Sequence, residues 1–343
     1  MSVLATGWDI GGVNLKTASL ASRGGRRRIV WRQQPFEIWR RPGGLVSALR
    51  RLDRRVEGGA RAVTLTAELS DVFAGRAAGV RAILAAVSTA LDRMPYRVLD
   101  TSGDLLTGAA ARRAPLRVAS ANWMAPALVA ARRAPRGVLV DVGSTTTDIV
   151  PFASGRPRPE GTDDRRRLMT GELVYSGALR TPPAALAATV PLHGGECRTI
   201  PEYFTQMADV YVILGLLRPR DYAAATPDGR GRERAACVAR LARLVGAEPR
   251  DLAPREVGAI AAHLMERQVE SIAAAIRGVA ARSGCGRATL AVVCGAGRFL
   301  AEEAARRGGC RPVPLEAIVA GFGRDWGRVA PAASLALLAA GAA

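Results

Sequence analysis

A chain of 343 residues, 49% of them apolar, is long enough to bury a sizeable core, and two lobes are expected rather than one small domain. The five cysteines are odd in number, widely spaced and never arranged as CxxC, which excludes a disulfide framework and a zinc ribbon and points to a reducing cytoplasm. The net charge of +19 would suggest nucleic acid, but it comes from arginine throughout except for Lys16, and the clusters Arg26–Arg28, Arg54 and Arg55, Arg132 and Arg133, and Arg165–Arg167 are scattered without interleaved aromatics. Nucleic acid is therefore not the expected main partner. No charged segment followed by an apolar one opens the chain, and the longest apolar run, APAASLALLAAGAA, is shorter than the roughly 20 residues a bilayer span needs, so a soluble protein without a membrane partner is expected.

In chain order, VLATGWDI (3–10) is a strand that turns through GGVNLK into a second strand, followed by RRIVWRQ (27–33). A helix over 43–56 leads to the strand AVTLT, the segment TAELSDVF (66–73) with Ser70 as a helix N-cap, and a helix over 76–92. RVLD (97–100) and LRVAS (116–120) read as strands, and 121–134 as a helix. GVLVDVG (137–143) is a strand entering a second hairpin, and 151–167 and 218–232, rich in Gly, Pro, Asp and Arg, read as exposed loops. Helices over 233–246 and 254–282 precede the strand and glycine turn TLAVVCGAG (289–297), a further helix, and an alanine-rich helix at 331–343. Strands alternating with helices argue for an α/β architecture.

One internal repeat stands out. DIGGVNLKTASL from Asp9 and DVGSTTTDIVPF from Asp141 both read Asp, aliphatic, Gly, small residue, then a polar turn into a second strand. Two such units predict a duplicated fold with a ligand cleft between its lobes, the first built from 1–120 plus the C-terminal helix and the second from 121–330. Gly11, Gly12 and Asn14 in the first turn, and Gly143, Ser144, Thr145, Thr146 and Thr147 in the second, offer backbone N–H groups and hydroxyls to phosphate. Gly295, Ala296 and Gly297 open a helix whose first N–H groups suit an anion. Asp9 and Asp141 at the strand ends suit Mg²⁺, and Lys16 is a compact ammonium able to pair with phosphate oxygens.

The loops in this order resemble the superfamily of acetate and sugar kinases, Hsp70 and actin, which implies two lobes of ribonuclease H-like fold. DVGSTTTDIVPF and TGELVYSGALRTP (170–182) resemble the hydantoinase A/oxoprolinase group. TAELSDVF, SANW (120–123), EYFTQMADVYVILG (202–215) and TPDGRGR with RLARLVGAE (226–248) resemble the family described as tetrahydromethanopterin-linked C1 transfer pathway proteins. That resemblance implies a methanofuran- or methylofuran-type synthase, which joins an aminomethyl-furanmethanol diphosphate to the phenol of tyrosine, tyramine or a glutamyl derivative and releases diphosphate. The first turn departs from the superfamily's kinases, since Val13 and Asn14 stand where hydroxyls are usual.

For such a reaction Lys16 and Mg²⁺ would neutralise the departing diphosphate. A phenol with a free pKa near 10 needs a base, for which Asp148, Glu172, Glu68 and His193 are the candidates. Asn122, Trp123 and Tyr175 would meet the substrate rings. His193 and Cys197 have no third metal ligand nearby. The expected partners are small molecules, with a homodimer left open. An ATP-dependent kinase or amide hydrolase, and a nucleotide-binding regulator, are the competing readings.

Overall fold

The structure is a computed structural model describing residues 2–53, 58–92, 94–286 and 288–343; the arginine pair Arg54 and Arg55 and the end of the helix expected over 43–56 lie outside the described residues. The first half of the chain forms a six-stranded sheet. β1 (Ser2–Ile10), β2 (Asn14–Arg23) and β3 (Arg26–Pro35) run as an antiparallel meander. After α1 (Leu45–Asp53), β4 (Ala60–Leu65) pairs parallel to β1. α2 (Arg76–Ala90) then leads to β5 (Arg97–Leu99) and β6 (Leu105–Thr107), giving the order β3-β2-β1-β4-β5-β6.

α3 (Gly108–Arg113), α4 (Pro115–Val118) and α5 (Met124–Arg133) carry the chain to a second sheet. Its strands are β7 (Arg136–Val142), β8 (Thr147–Ala153), the short β9 (Arg156–Pro157) and, after α6 (Asp164–Thr170), β10 (Leu173–Val174). The hairpin β11 (Thr189–Leu192) and β12 (Gly195–Arg198), then α7 (Met207–Ile213), α8 (Arg234–Arg243) and α9 (Pro254–Arg282), form an insertion before β13 (Leu290–Cys294). α10 (Arg298–Arg307), β14 (Arg311–Pro314), α11 (Leu315–Ile318) and α12 (Ala330–Ala339) complete the chain. The order in this sheet is β10-β8-β7-β13-β14, so β1-β2 and β7-β8 are matching antiparallel hairpins, each with a parallel strand beside its first member.

β1 is buried over most of its length because both faces of its sheet are covered. Trp8, Ile10 and Leu15 pack with α1 and α2, while Ala18 and Leu20 pack with α12. α12 approaches β1 so closely that a Cβ on Gly7 would stand 2.0 Å from the Ala332 carbonyl oxygen. The same cluster continues through α5 into Leu139, Val150 and Phe152 of the second sheet. Among the described residues no helix is long and apolar enough to cross a membrane.

Three local expectations are corrected. LRVAS is not a strand: Pro115 opens the single helical turn α4, its fixed φ being preset for a first helical position, and only Ala119 makes an isolated bridge to Leu65. The segment 151–167 is not one exposed loop, because Pro151 is buried inside β8 and Arg167 is buried in α6. Ser70 does not cap α2, which starts at Arg76 after Gly75.

Candidate active site

The two hairpins close alike. The Gly11 N–H donates to the Asn14 carbonyl at 3.1 Å, and the Gly143 N–H donates to the Thr146 carbonyl at 2.9 Å. Below each turn the register opposes Asp9 to Lys16 and Asp141 to Asp148. Directly opposed residues of an antiparallel pair share a face, so the repeat extends to side-chain direction, and Lys16 stands in the first hairpin where Asp148 stands in the second. Lys16 Nζ donates to Asp9 Oδ2 at 3.2 Å, and Arg167 Nη1 donates to Asp148 Oδ1 at 2.8 Å.

Between the hairpins lies a cavity of about 490 Å³. It is lined by Asp9, Gly11, Gly12, Asn14 and Lys16 of the first sheet, by Gly143, Ser144, Thr145, Thr146 and Asp148 of the second, and by Asn122, Trp123 and Tyr175. The chain after β10 braces the second turn: the Ala178 N–H donates to the Gly143 carbonyl, and the Leu179 and Arg180 N–H groups to that of Ser144. Gly177 is required there, because a Cβ would stand 2.6 Å from the Thr145 backbone.

Other expected residues lie elsewhere. Thr147 is buried and donates its hydroxyl to the Ser176 carbonyl, away from the cavity. Glu172 is not free to act as a base: it follows Gly171, which at φ 70° ends α6 in the left-handed conformation, and is buried with its two carboxylate oxygens accepting the Glu160 and Gly161 N–H groups at 2.7 and 3.0 Å. It holds the 158–161 loop. His193 sits at the β11–β12 turn, 68% exposed, paired through Nδ1 with Glu256 at 2.7 Å and remote from the cavity lining. The Gly295 and Gly297 N–H groups donate to the Gly327 and Val142 carbonyls at 2.8 Å, so these two are spent within the protein rather than offered to phosphate. Ala296 between them does not line the cavity.

Asp141 lies just behind the cavity wall. Burial first, then the charges of Asp148 and Asp9, raise its pKa to about 7 against the opposing effect of Lys16. Burial also raises Asp148, although Arg167 opposes this. Oδ1 of Asp9 is buried without a hydrogen-bond partner. Crowded carboxylates with an unpartnered oxygen suit a hard cation, yet no cluster of three or more metal-ligating side chains occurs among the described residues. A cation held there would need further oxygens from a bound ligand.

Sequence reasoning missed Trp39, Ser120, Asp164, Arg167 and Arg180, all on the cavity wall. The Arg180 guanidinium lies 5.2 Å from the Trp39 ring centroid, joining the two halves of the chain across the cleft, and that of Arg167 lies 4.0 Å from the Trp123 centroid. Asp148 was the one available signal for Arg167, since a buried carboxylate at a strand start needs a cation.

The sequence matches the hydantoinase/oxoprolinase family over residues 59–323. It is 34% identical over 249 residues, 72% of this chain and 73% of the relative, to a (4-{4-[2-(gamma-L-glutamylamino)ethyl]phenoxymethyl}furan-2-yl)methanamine synthase of Methanocaldococcus jannaschii. To the protein of the same name from Methanococcus vannielii it is 35% identical over 108 residues, 32% of this chain and 48% of the relative. Among solved structures, nucleotide-free acetone carboxylase aligns with 98% of this chain and 70% of its own at a TM-score of 0.56 and 12% identity, a likeness of fold. With the paired sheets and matching hairpins, that fold is the two-lobed, actin-like α/β one.

Proposed function

This chain belongs to the hydantoinase/oxoprolinase family, and from that premise we propose that it is an ether-forming synthase that joins a furanmethyl diphosphate to a phenol and releases diphosphate. The relatives' names describe a phenoxymethyl-furan methanamine, the product of such a union. The observation that carries the reading is the composition of one cavity: Lys16 and two turn backbones at the hairpin tips, with Trp39, Trp123 and Tyr175 on the walls. A charged leaving group and two flat rings need those surfaces together.

The chemistry asks little covalent help of the protein. The bond between the furan-bearing carbon and the diphosphate oxygen breaks while the phenol oxygen bonds to that carbon, and the furan oxygen delocalises the cation that develops. Lys16, with its ammonium 3.2 Å from Asp9, would meet a phosphate oxygen as a point charge. The Ser144, Thr145 and Thr146 hydroxyls and backbone would hold the remaining oxygens in place, donors already aimed before charge develops. The residues fit Mg²⁺, which would be held by Asp9 and Asp141 and would supply further neutralisation of the diphosphate. Tyr175, 63% exposed on the cavity wall, would orient a ring by stacking.

The test incubates the pure protein with a furanmethyl diphosphate and tyrosine, tyramine or γ-glutamyltyramine, and follows the ether by mass and the diphosphate released. Diphosphate release that requires both substrates is expected. Steady ATP turnover stimulated by a sugar, acid or hydantoin, with no ether formed, would overturn the reading.

A further inference from the structure

Two strings of the sequence, TAELSDVF and SANW, are brought together by the fold through Glu68 and Ser120. Glu68 sits in the turn Ala67–Leu69 after β4, its side chain fully buried. Ser120, in the left-handed region at φ 50°, places its Oγ 2.8 Å from Glu68 Oε1 and 3.1 Å from Oδ2 of Asp164, at the start of α6. Ser120 and Asp164 line the cavity; Glu68 lies behind them. Arg76 of α2 reaches the same group, with Nη2 3.1 Å from Ser120 Oγ, 3.3 Å from Asp164 and 3.9 Å from Glu68.

One hydroxyl hydrogen cannot serve two carboxylates. When both are ionised one contact lacks a hydrogen, and when either holds a proton the three groups form a continuous chain. Oε2 of Glu68 is buried without a hydrogen-bond partner, so any proton exchange with Ser120 runs through Oε1.

Resting on the synthase reading above, we propose that Asp164 takes the proton of the acceptor phenol and that Ser120 passes a proton on to Glu68. The ledger balances. As the phenol oxygen bonds to the furanmethyl carbon and diphosphate leaves with the electron pair of the broken C–O bond, the phenol proton moves to Asp164. Asp164 then donates to Ser120 Oγ while the Ser120 hydrogen moves to Glu68, which ends protonated, and Asp164 ends as a carboxylate. Burial raises Glu68 to about 7, against the hydrogen bond from Ser120 and the charge of Arg76, so near neutral pH it both accepts and releases a proton. The charged groups facing it are Arg76 from α2 and Asp164 from α6. Asp164 is the catalytic residue, and Ser120 and Glu68 act through it.

Ether formation by Glu68→Gln, Ser120→Ala and Asp164→Asn tests this with two acceptors, tyramine and a nitro-substituted tyramine already ionised at assay pH. With tyramine, kcat is expected to fall by about 100-fold, within the range of general base contributions, with KM little changed. The ionised phenol recovers most of that loss, because it has no proton to give. The part of the kcat rise near pH 7 that is present with tyramine and absent with the ionised phenol belongs to Glu68 losing its proton, and it disappears in E68Q. Equal losses with both phenols, or an unchanged pH limb in E68Q, would overturn the relay. A second readout needs no turnover: in an Asp141→Asn background, which removes the other carboxyl raised to about 7, a protonated-carboxyl infrared band titrates near neutral pH and is lost when E68Q is added. Absence of the band from the Asp141→Asn protein overturns the relay as well. A wild-type protein that makes no ether, with the band present in Asp141→Asn and lost on adding E68Q, would instead refute the synthase reading and leave Glu68 as the titrating group.

Discussion

Lys16 and Asp148 occupy corresponding places in the two hairpins, and each lies beside a carboxylate at the end of the neighbouring strand. The difference in charge polarises the cleft: the first hairpin can meet an anion through its lysine, while in the second the charge of Asp148 is absorbed by Arg167. Lys16→Ala is expected to reduce turnover by about tenfold or more through lost leaving-group stabilisation, with far-ultraviolet circular dichroism unchanged. Unchanged kinetics would remove Lys16 from the site. The acidic side makes a prediction of its own. Asp141 titrates at about 7 in the fold and near 3.9 unfolded, so between those values the folded chain holds a proton that the unfolded chain has lost. Stability of the ligand-free protein should fall as pH rises from about 4 to about 7 and then level, with a shallower slope in Asp141→Asn; urea midpoints across pH measure this. At pH 7.5, Mg²⁺ should raise the Tm of the wild type and raise that of Asp9→Asn less.

At the scale of elements, the strings that carried the family resemblance divide between site and scaffold. EYFTQMADVYVILG forms α7 and TPDGRGR the loop before α8, and they are tied by an ion pair excluded from solvent: Arg240 Nη2 lies 2.7 Å from Asp209 Oδ1, which also accepts from the Tyr222 hydroxyl at 3.0 Å. Arg240 Nη1 reaches Asp228 at 3.0 Å. Arg240→Met strands Asp209 as a buried charge and should cost about 3–5 kcal/mol in urea unfolding. Gly177→Ala tests the brace behind the second hairpin. Its Cβ would press on the Thr145 backbone, so ether formation should fall by about tenfold or more while secondary structure, read by circular dichroism, is retained. Helices with a clear apolar period were legible before the fold was known, α9 over its full span from 254 to 282. LRVAS was not, because in a run so short the helix-starting proline outweighs the apolar pattern. The loop-holding role of Glu172, expected as a base, was not legible either, since nothing local marks a carboxylate that will accept the backbone N–H groups of another segment.

Across the whole molecule, α12 and α5 join one core to the inner faces of both sheets, while Trp39–Arg180 and Arg76–Asp164 bridge the halves at the cavity. Arg180→Ala should raise the KM for both substrates and speed hydrogen exchange in the 143–147 turn, measured by mass spectrometry, because the residue both stacks across the cleft and follows the segment that braces that turn. The sequence by itself determined the α/β class, the duplicated hairpin and the turn residues that face the cavity. Strand alternation and a glycine turn are local signals, and two copies of them imply a symmetric pair of lobes. Only the tertiary structure decided which titratable groups are free to act. Whether a carboxylate is spent on a backbone amide, as in Glu172, paired with a buried arginine, as in Asp148, or left with an open oxygen, as in Glu68, depends on neighbours far away along the chain. Arg167 reaches Asp148, and Ser120 reaches Glu68, only when each half has folded, closing separations of 19 and 52 residues along the chain.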